Sequence, residues 1–210
     1  LYLAMAYVRG ASLHEHVRHR SPLSESDALV LGRKLASALA QAWRELRLLH
    51  RDIKPSNSLR DSNGEPRLAD LGLAKCLDQN DGRTMAGALL GTPNYMSPEK
   101  AEGREDLDVR ADIYSLGATL YTAVTGQIPY EAASVVETLR RQATEPLSDP
   151  RTYAPKLSDE FVGLLGSMLA RDRADRPKSW EALVALFDGL LAQHPGAAGM
   201  LPLVEAPSIP

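Results

Sequence analysis

The chain has 210 residues, 44% of them hydrophobic and 24% charged, with a formal charge of −3 from 24 basic and 27 acidic side chains. That is an ordinary globular composition with room for one well-buried domain, and nothing in its charge balance points to nucleic acid or an anionic membrane. A single cysteine, Cys76, excludes an internal disulfide and fits a reducing compartment, and no apolar run reaches the length of a bilayer span.

Leu1 to Val8 is a short, mostly apolar run closed by Arg9-Gly10, which predicts a buried strand entering a turn. A chain that opens inside such a strand reads as a piece of a longer protein. His14, His16 and His19 lack the spacing of a zinc-binding helix and read as a solvated helix face. After the break at Ser21-Pro22, Leu29, Leu31, Leu35, Leu39, Trp43, Leu46 and Leu49 recur at helical steps. A long helix is therefore expected, capped by Ser24 or Ser26 and delivering His50 to the core.

Ser58-Leu59-Arg60 and Pro66-Arg67-Leu68-Ala69 flank Asn63-Gly64, a hairpin signature. Cys76 to Leu90 is polar and glycine-containing and reads as a mobile loop. Ala111 to Gly126 is apolar on nearly every face, which predicts a central helix buried all round. Asp112 lies near its start and is tolerable there only if hydrogen-bonded. Amphipathic helices are expected over 133–142, 158–169 and 179–192, with Trp180 in the core and a proline-rich loop at 146–155. From His194 the chain is rich in Pro, Gly and Ala without periodicity, so one domain over 1–192 and a flexible tail or linker over 193–210 are expected.

The most informative stretch is His50-Arg51-Asp52-Ile53-Lys54-Pro55-Ser56-Asn57. It sets a carboxylate, an ammonium and a carboxamide within six positions, with Pro55 stiffening the path between them. Asp52 can accept a proton from a hydroxyl, Lys54 can neutralise charge on a transferring group, and the Asn57 oxygen is a hard ligand suited to Mg²⁺. Asp70, after the hairpin, could complete the metal site with Asn57. Phosphoryl transfer asks for this combination, because its catalysis is mostly positioning and charge neutralisation.

This stretch resembles the catalytic loop of protein kinases, H-R-D-x-x-x-x-N, without a mismatch; Asp70-Leu71-Gly72 resembles their D-F-G and Ser97-Pro98-Glu99 their A-P-E, in the same order. The resemblance covers nearly the whole chain. It implies a mainly α fold: the C-terminal lobe of a protein kinase, a helical bundle with short β-hairpins. The N-terminal β lobe would be absent except for its last strand.

By the same resemblance Met5 is the gatekeeper, Ala6 and Val8 grip adenine through their backbone, Ser12 meets the ribose and Leu59 floors the adenine pocket. Asp52 is the catalytic base, Lys54 contacts the γ-phosphate, and Asn57 and Asp70 hold Mg²⁺. Ser58 stands where an aliphatic residue is usual, with a small packing cost expected, and Leu71 replaces the usual Phe. Residues 73–99 form the activation segment, in which Thr84 is the candidate autophosphorylation site, because Arg51 is the usual partner of such a phosphate. Thr92 with Lys54 indicates Ser/Thr rather than Tyr as acceptor. Asp112 is expected to accept bonds from the catalytic-loop backbone. Arg176 is expected to pair with Glu99, a pair whose breakage, if buried, costs about 3–5 kcal/mol.

The implied function is ATP- and Mg²⁺-dependent phosphoryl transfer to Ser/Thr hydroxyls of a protein substrate in a bacterial serine/threonine kinase, in the cytoplasm, with any membrane anchor lying outside this segment. The Gly-rich loop, the strand Lys and the helix Glu of such a kinase have no place in these residues, so the 210 residues alone are expected to be weak or inactive. The alternative is a non-catalytic kinase-like docking or scaffold module. Retention of Asp52, Lys54, Asn57 and Asp70 together favours the enzyme, since a scaffold has no chemical need for all four.

Overall fold

The computed structural model describes residues 8–70 and 93–193. The readings of Met5, Ala6, Leu71, Cys76, Thr84 and Thr92, and of the tail from 194, lie outside the described residues. Among the described residues three short strands make one antiparallel sheet in the order β1 (Gly10–Ser12), β2 (Ser58–Asp61), β3 (Pro66–Leu68). The expected hairpin is present, turning at Asn63 and at Gly64 with its φ of +79°. Gly10, read from sequence as part of a turn, instead opens β1 opposite Asp61. A Cβ at this position would fall 1.6 Å from the Arg60 carbonyl oxygen, so only glycine lets the two strands close.

Ser12 ends β1 and caps helix α1 (Leu13–His19) through a capping box: its Oγ accepts the Glu15 N–H, and the Glu15 carboxylate accepts the Ser12 N–H at 2.8 Å. Helix α2 (Glu25–Leu46) is capped by Ser24, one of the two expected residues. It ends earlier than its leucine periodicity suggests, because Arg47 turns left-handed at φ +52°, its guanidinium resting over the Trp43 ring. Leu46 therefore points outward and is 71% exposed, whereas Leu49 packs against the core.

A short helix α3 (Pro98–Ala101) follows a 3₁₀ turn at Pro93–Tyr95, and α4 (Val109–Thr125) runs through the middle of the domain. Every residue from Ala111 to Thr125 is buried, as the all-round apolar pattern predicts. Its four buried serine and threonine hydroxyls, on Ser115, Thr119, Thr122 and Thr125, each donate to the carbonyl four residues back, which satisfies them without interrupting the helix. Helices α5 (Val135–Thr144), α6 (Asp159–Met168) and α7 (Trp180–Leu191) fall within two residues of the expected spans. Leu29, Leu35, Ile53, Ile113, Leu120, Phe161, Trp180 and Phe187 form the centre of the core. Helices α2 and α7 close tightly, since Gly32 lies where any Cβ would meet the Phe187 ring at 2.6 Å.

Two of the buried polar contacts in this core join an arginine to a second side chain. Arg176 grips Glu99 bidentately at 2.7 and 2.9 Å and donates to the carbonyls of Ala170, Arg110 and Arg171, its guanidinium lying over the Tyr114 ring. Burial raises the Glu99 carboxyl, but the Arg176 bonds outweigh it and hold the group below the usual carboxylate range. The second contact corrects the sequence reading of His16. His14 and His19 are exposed, but His16 is buried, and its Nδ1 lies 2.6 Å from Arg60 Nη2. Arg60 can only donate, so His16 must accept through Nδ1 and stay neutral.

Burial, then Arg60 and Arg20, hold His16 below its usual pKa of 6.5, against a smaller opposing effect of Asp27. A depressed histidine contributes stability that is complete above the unfolded pKa and is lost as pH falls, because the unfolded chain takes the proton first. Denaturant melts are expected to show stability declining below pH 6.5, by at most about 1.4 kcal/mol per pH unit from this group. His16→Gln should flatten that slope; an unchanged slope would remove His16 as its source.

Candidate active site

Residues 50–57 run from the end of α2 toward the sheet, and four attachments set their path. The Asp112 carboxylate, at the start of α4, accepts the N–H of His50 at 2.7 Å and of Arg51 at 2.8 Å. The Lys100 ammonium on α3 donates to the Arg51 carbonyl. The Pro55 carbonyl accepts the N–H of His14 on α1 at 3.1 Å. Ile53 is buried in the core. Arg51 is held at φ +65°, a left-handed conformation that costs a residue with a side chain about 1–3 kcal/mol and persists only where its surroundings enforce it.

That path gathers three of the sequence-predicted side chains. Asp52 Oδ2 accepts from Lys54 Nζ at 2.8 Å and from Asn57 Nδ2 at 2.9 Å, and Asn57 Nδ2 also reaches the Asp52 carbonyl at 3.0 Å. Asn57 is buried, Lys54 largely so, and Asp52 keeps 41% of its side chain open to solvent. The carbonyl of Lys54 accepts the N–H groups of Asn57 and Ser58 and the Ser58 hydroxyl, closing the loop into a turn. Ser58 is fully buried, and this bond meets the hydroxyl that the usual aliphatic residue would lack.

Asp70 is exposed at φ +57° directly after Ala69, whose N–H donates to the Asn57 carbonyl at 2.9 Å. The chain thus brings the Asp70 and Asn57 backbones side by side. Within the sheet Ser12 and Leu59 are register partners on β1 and β2, and the half-buried Val8 precedes β1. Five residues of the expected nucleotide and metal set, Val8, Ser12, Asn57, Leu59 and Asp70, therefore border the same short sheet. A hollow of about 190 Å³ lined by Tyr114, Tyr130, Gln142 and Arg171 lies apart, between α4 and α5.

Electrostatics fit a fixed frame with a working edge. His50 is fully buried; burial holds its imidazole below the usual value, partly countered by Asp112 and Asp52. Burial pushes the Asp112 carboxyl up, opposed by the two N–H bonds it accepts. Sequence reasoning missed the capping box and the Arg51–Lys100 contact. Ser12-Leu13-His14-Glu15 is a local signature that could have revealed the first, but nothing local links position 100 to position 51.

The family model described as protein kinase domain matches residues 1–187. The chain belongs to the protein kinase family. Serine/threonine-protein kinase pkn3 of Myxococcus xanthus is 37% identical over 194 residues, covering 88% of this chain and 35% of its own length. The DNA damage-responsive serine/threonine-protein kinase RqkA of Deinococcus radiodurans is 39% identical over 140 residues, 67% of this chain and 21% of its own. A probable serine/threonine-protein kinase, PknB of Bifidobacterium longum, is 32% identical over 176 residues, 83% of this chain and 25% of its own. The chain spans no more than about a third of the length of these relatives. The mostly helical fold with its three-stranded sheet is consistent with a kinase domain.

In this kinase domain the Asp112 carboxylate is the one group that meets both His50 and Arg51 N–H. Asp112→Ala would strand both donors, at about 1–3 kcal/mol each, and is expected to lower unfolding stability by about 2–6 kcal/mol. Asp112→Asn, which keeps one acceptor oxygen, should lose roughly half as much. Chemical denaturation reads this as a shift in midpoint at constant slope; a loss under about 0.5 kcal/mol for the alanine variant would contradict the role.

Proposed function

We propose that the chain forms the phosphate-transferring part of a bacterial serine/threonine protein kinase, its large lobe and hinge, acting on ATP with Mg²⁺ and on Ser or Thr hydroxyls of a protein substrate. The observation that carries this reading is the Asp52, Lys54 and Asn57 cluster, held together at 2.8–2.9 Å in the loop that leads into the central strand β2. In the reaction the substrate hydroxyl oxygen attacks the γ-phosphorus while the bond from that phosphorus to its bridging oxygen breaks. The hydroxyl proton passes to Asp52, and ADP leaves.

Asp52 is suited to this because Lys54 and Asn57 occupy its Oδ2, which orients the carboxylate and leaves Oδ1 for the hydroxyl. Lys54 brings a positive charge to the γ-phosphate. Asn57 spends its amide N–H groups on Asp52, so its oxygen remains a hard donor, and Asp70 supplies a carboxylate beside it. Two oxygen donors plus substrate phosphates are what Mg²⁺ takes from a protein. When bound, the ion neutralises charge on the phosphate oxygens.

Val8 and Leu59 support the adenine, with Met5 and Ala6. Ser12 commits its hydroxyl to the capping box but keeps a lone pair for a ribose hydroxyl. Arg51 would receive a phosphate on Thr84 formed by autophosphorylation. Among the described residues no helix is long and apolar enough to cross a membrane; use of ATP and a lone cysteine support a cytoplasmic domain, with any membrane anchor of the parent outside this segment. A docking module would have no use for a carboxylate clamped between an ammonium and a carboxamide, which favours the enzyme over the scaffold.

The test uses the protein that carries this chain, with Mg²⁺ and γ-labelled ATP. Label should appear on Ser or Thr, and Asp52→Asn should lower kcat by about 10²–10⁴-fold. Asp70→Asn should raise the Mg²⁺ concentration needed for half-maximal rate. Transfer by Asp52→Asn at the unmodified rate, or none by the unmodified protein, would sink the reading.

A further inference from the structure

We propose that Lys100 is a positioning residue for the catalytic base, holding the peptide unit that carries Asp52; this rests on the kinase reading above. Two peptide planes lead into Asp52. The first, between His50 and Arg51, is fixed by the Asp112 carboxylate through the Arg51 N–H. The second, between Arg51 and Asp52, offers the Arg51 carbonyl on one side and the Asp52 N–H on the other. Among the described residues that N–H makes a long contact, 3.4 Å, to His50 Nδ1. The strong grip on the second plane is the Lys100 ammonium donating to the Arg51 carbonyl.

Arg51 sits at φ +65°, a backbone state that its surroundings must enforce, and the Lys100 ammonium on its carbonyl is one of the bonds that hold it. The chemistry asks for such a residue. A carbonyl oxygen needs a donor, and the four-carbon stem of Lys100 carries its ammonium from α3 to this one. Burial pushes the Asp112 carboxyl up, and after the two N–H bonds and His50 the ammonium offsets a small part of that, so one cation acts on both the Arg51 carbonyl and the carboxylate that holds the Arg51 N–H.

Lys100 stands on a rigid platform. The residue before it, Glu99, is locked by Arg176 in the core, and the carbonyls of Ser97, Glu99 and Lys100 accept the N–H groups of Ala101, Arg104 and Gly103. Helix α3 directly follows residues 93–97, within the stretch whose sequence resembles the peptide-receiving part of kinases. Lys100 thus ties the acceptor side of the domain to the base: a shift of α3 would be felt at the Arg51–Asp52 peptide.

The experiment compares the unmodified protein with Lys100→Met, which keeps length but not the donor, and Lys100→Arg, which keeps a donor. Amide hydrogen exchange is read for 49–54 and for α4, together with kcat and KM for ATP. Lys100→Met is expected to speed exchange at Arg51 and Asp52 at least tenfold while α4 is unchanged. It should also lower kcat by about 10–100-fold with KM for ATP within threefold, and Lys100→Arg should recover most of both. Unchanged exchange at 51–52, equal loosening of α4, or unaltered kcat would overturn the proposal. If the unmodified protein transfers no phosphate, the kinase reading fails by itself, and exchange at 51–52 still decides whether Lys100 holds the loop.

Discussion

The arrangement of the domain depends on one buried carboxylate. Asp112 enters the core at the first turn of the most buried helix, where an unmet charge would be intolerable. The groups that meet it are the N–H donors of His50 and Arg51, at 2.7 and 2.8 Å. Each side solves the other's problem. The loop escapes the cost of unmet donors, and the helix escapes the cost of a lone charge. Bound this way, the loop has a defined origin, and the cluster at Asp52, Lys54 and Asn57 follows from it by short local bonds.

Other long-range polar contacts extend the same logic outward. Glu99 and Arg176 anchor α3 to the segment before α7 with side chains 5% and 0% exposed. Glu25 on α2 accepts the N–H and hydroxyl of Ser158 at 2.7 and 2.6 Å, joining the starts of α2 and α6. His16 and Arg60 clamp α1 to β2 beside the sheet that borders the site. In a mostly helical core these are the points where register is set, since apolar contact alone tolerates sliding and a buried ion pair missing its partner does not.

What could be read from the chain divides by the range of the interaction. The Ser24 cap, the turn at Asn63-Gly64 and the buried run from Ala111 to Thr125 are local patterns, and each appears where expected. The pairing of Glu99 with Arg176 and the contact of Asp112 with the loop span 77 and 62 residues; they came from resemblance, not from periodicity. The His16–Arg60 contact, 44 residues apart, carried neither signal, so His16 looked like surface. Leu46 fitted the apolar row but faces out, because a left-handed residue ended the helix one position later. Within the site, the six-residue span of Asp52, Lys54 and Asn57 made their convergence readable, whereas the support from Lys100 required the fold.

The most direct test is of the hydrogen bonds on which the loop hangs. Scalar couplings measured across them by nuclear magnetic resonance, from the amide nitrogens of His50 and Arg51 to the carboxyl carbon of Asp112, report each bond individually. Both couplings should be present, with both amides shifted downfield and protected from exchange with water. Absence of both couplings, with the two amides exchanging as freely as an exposed loop, would contradict the account.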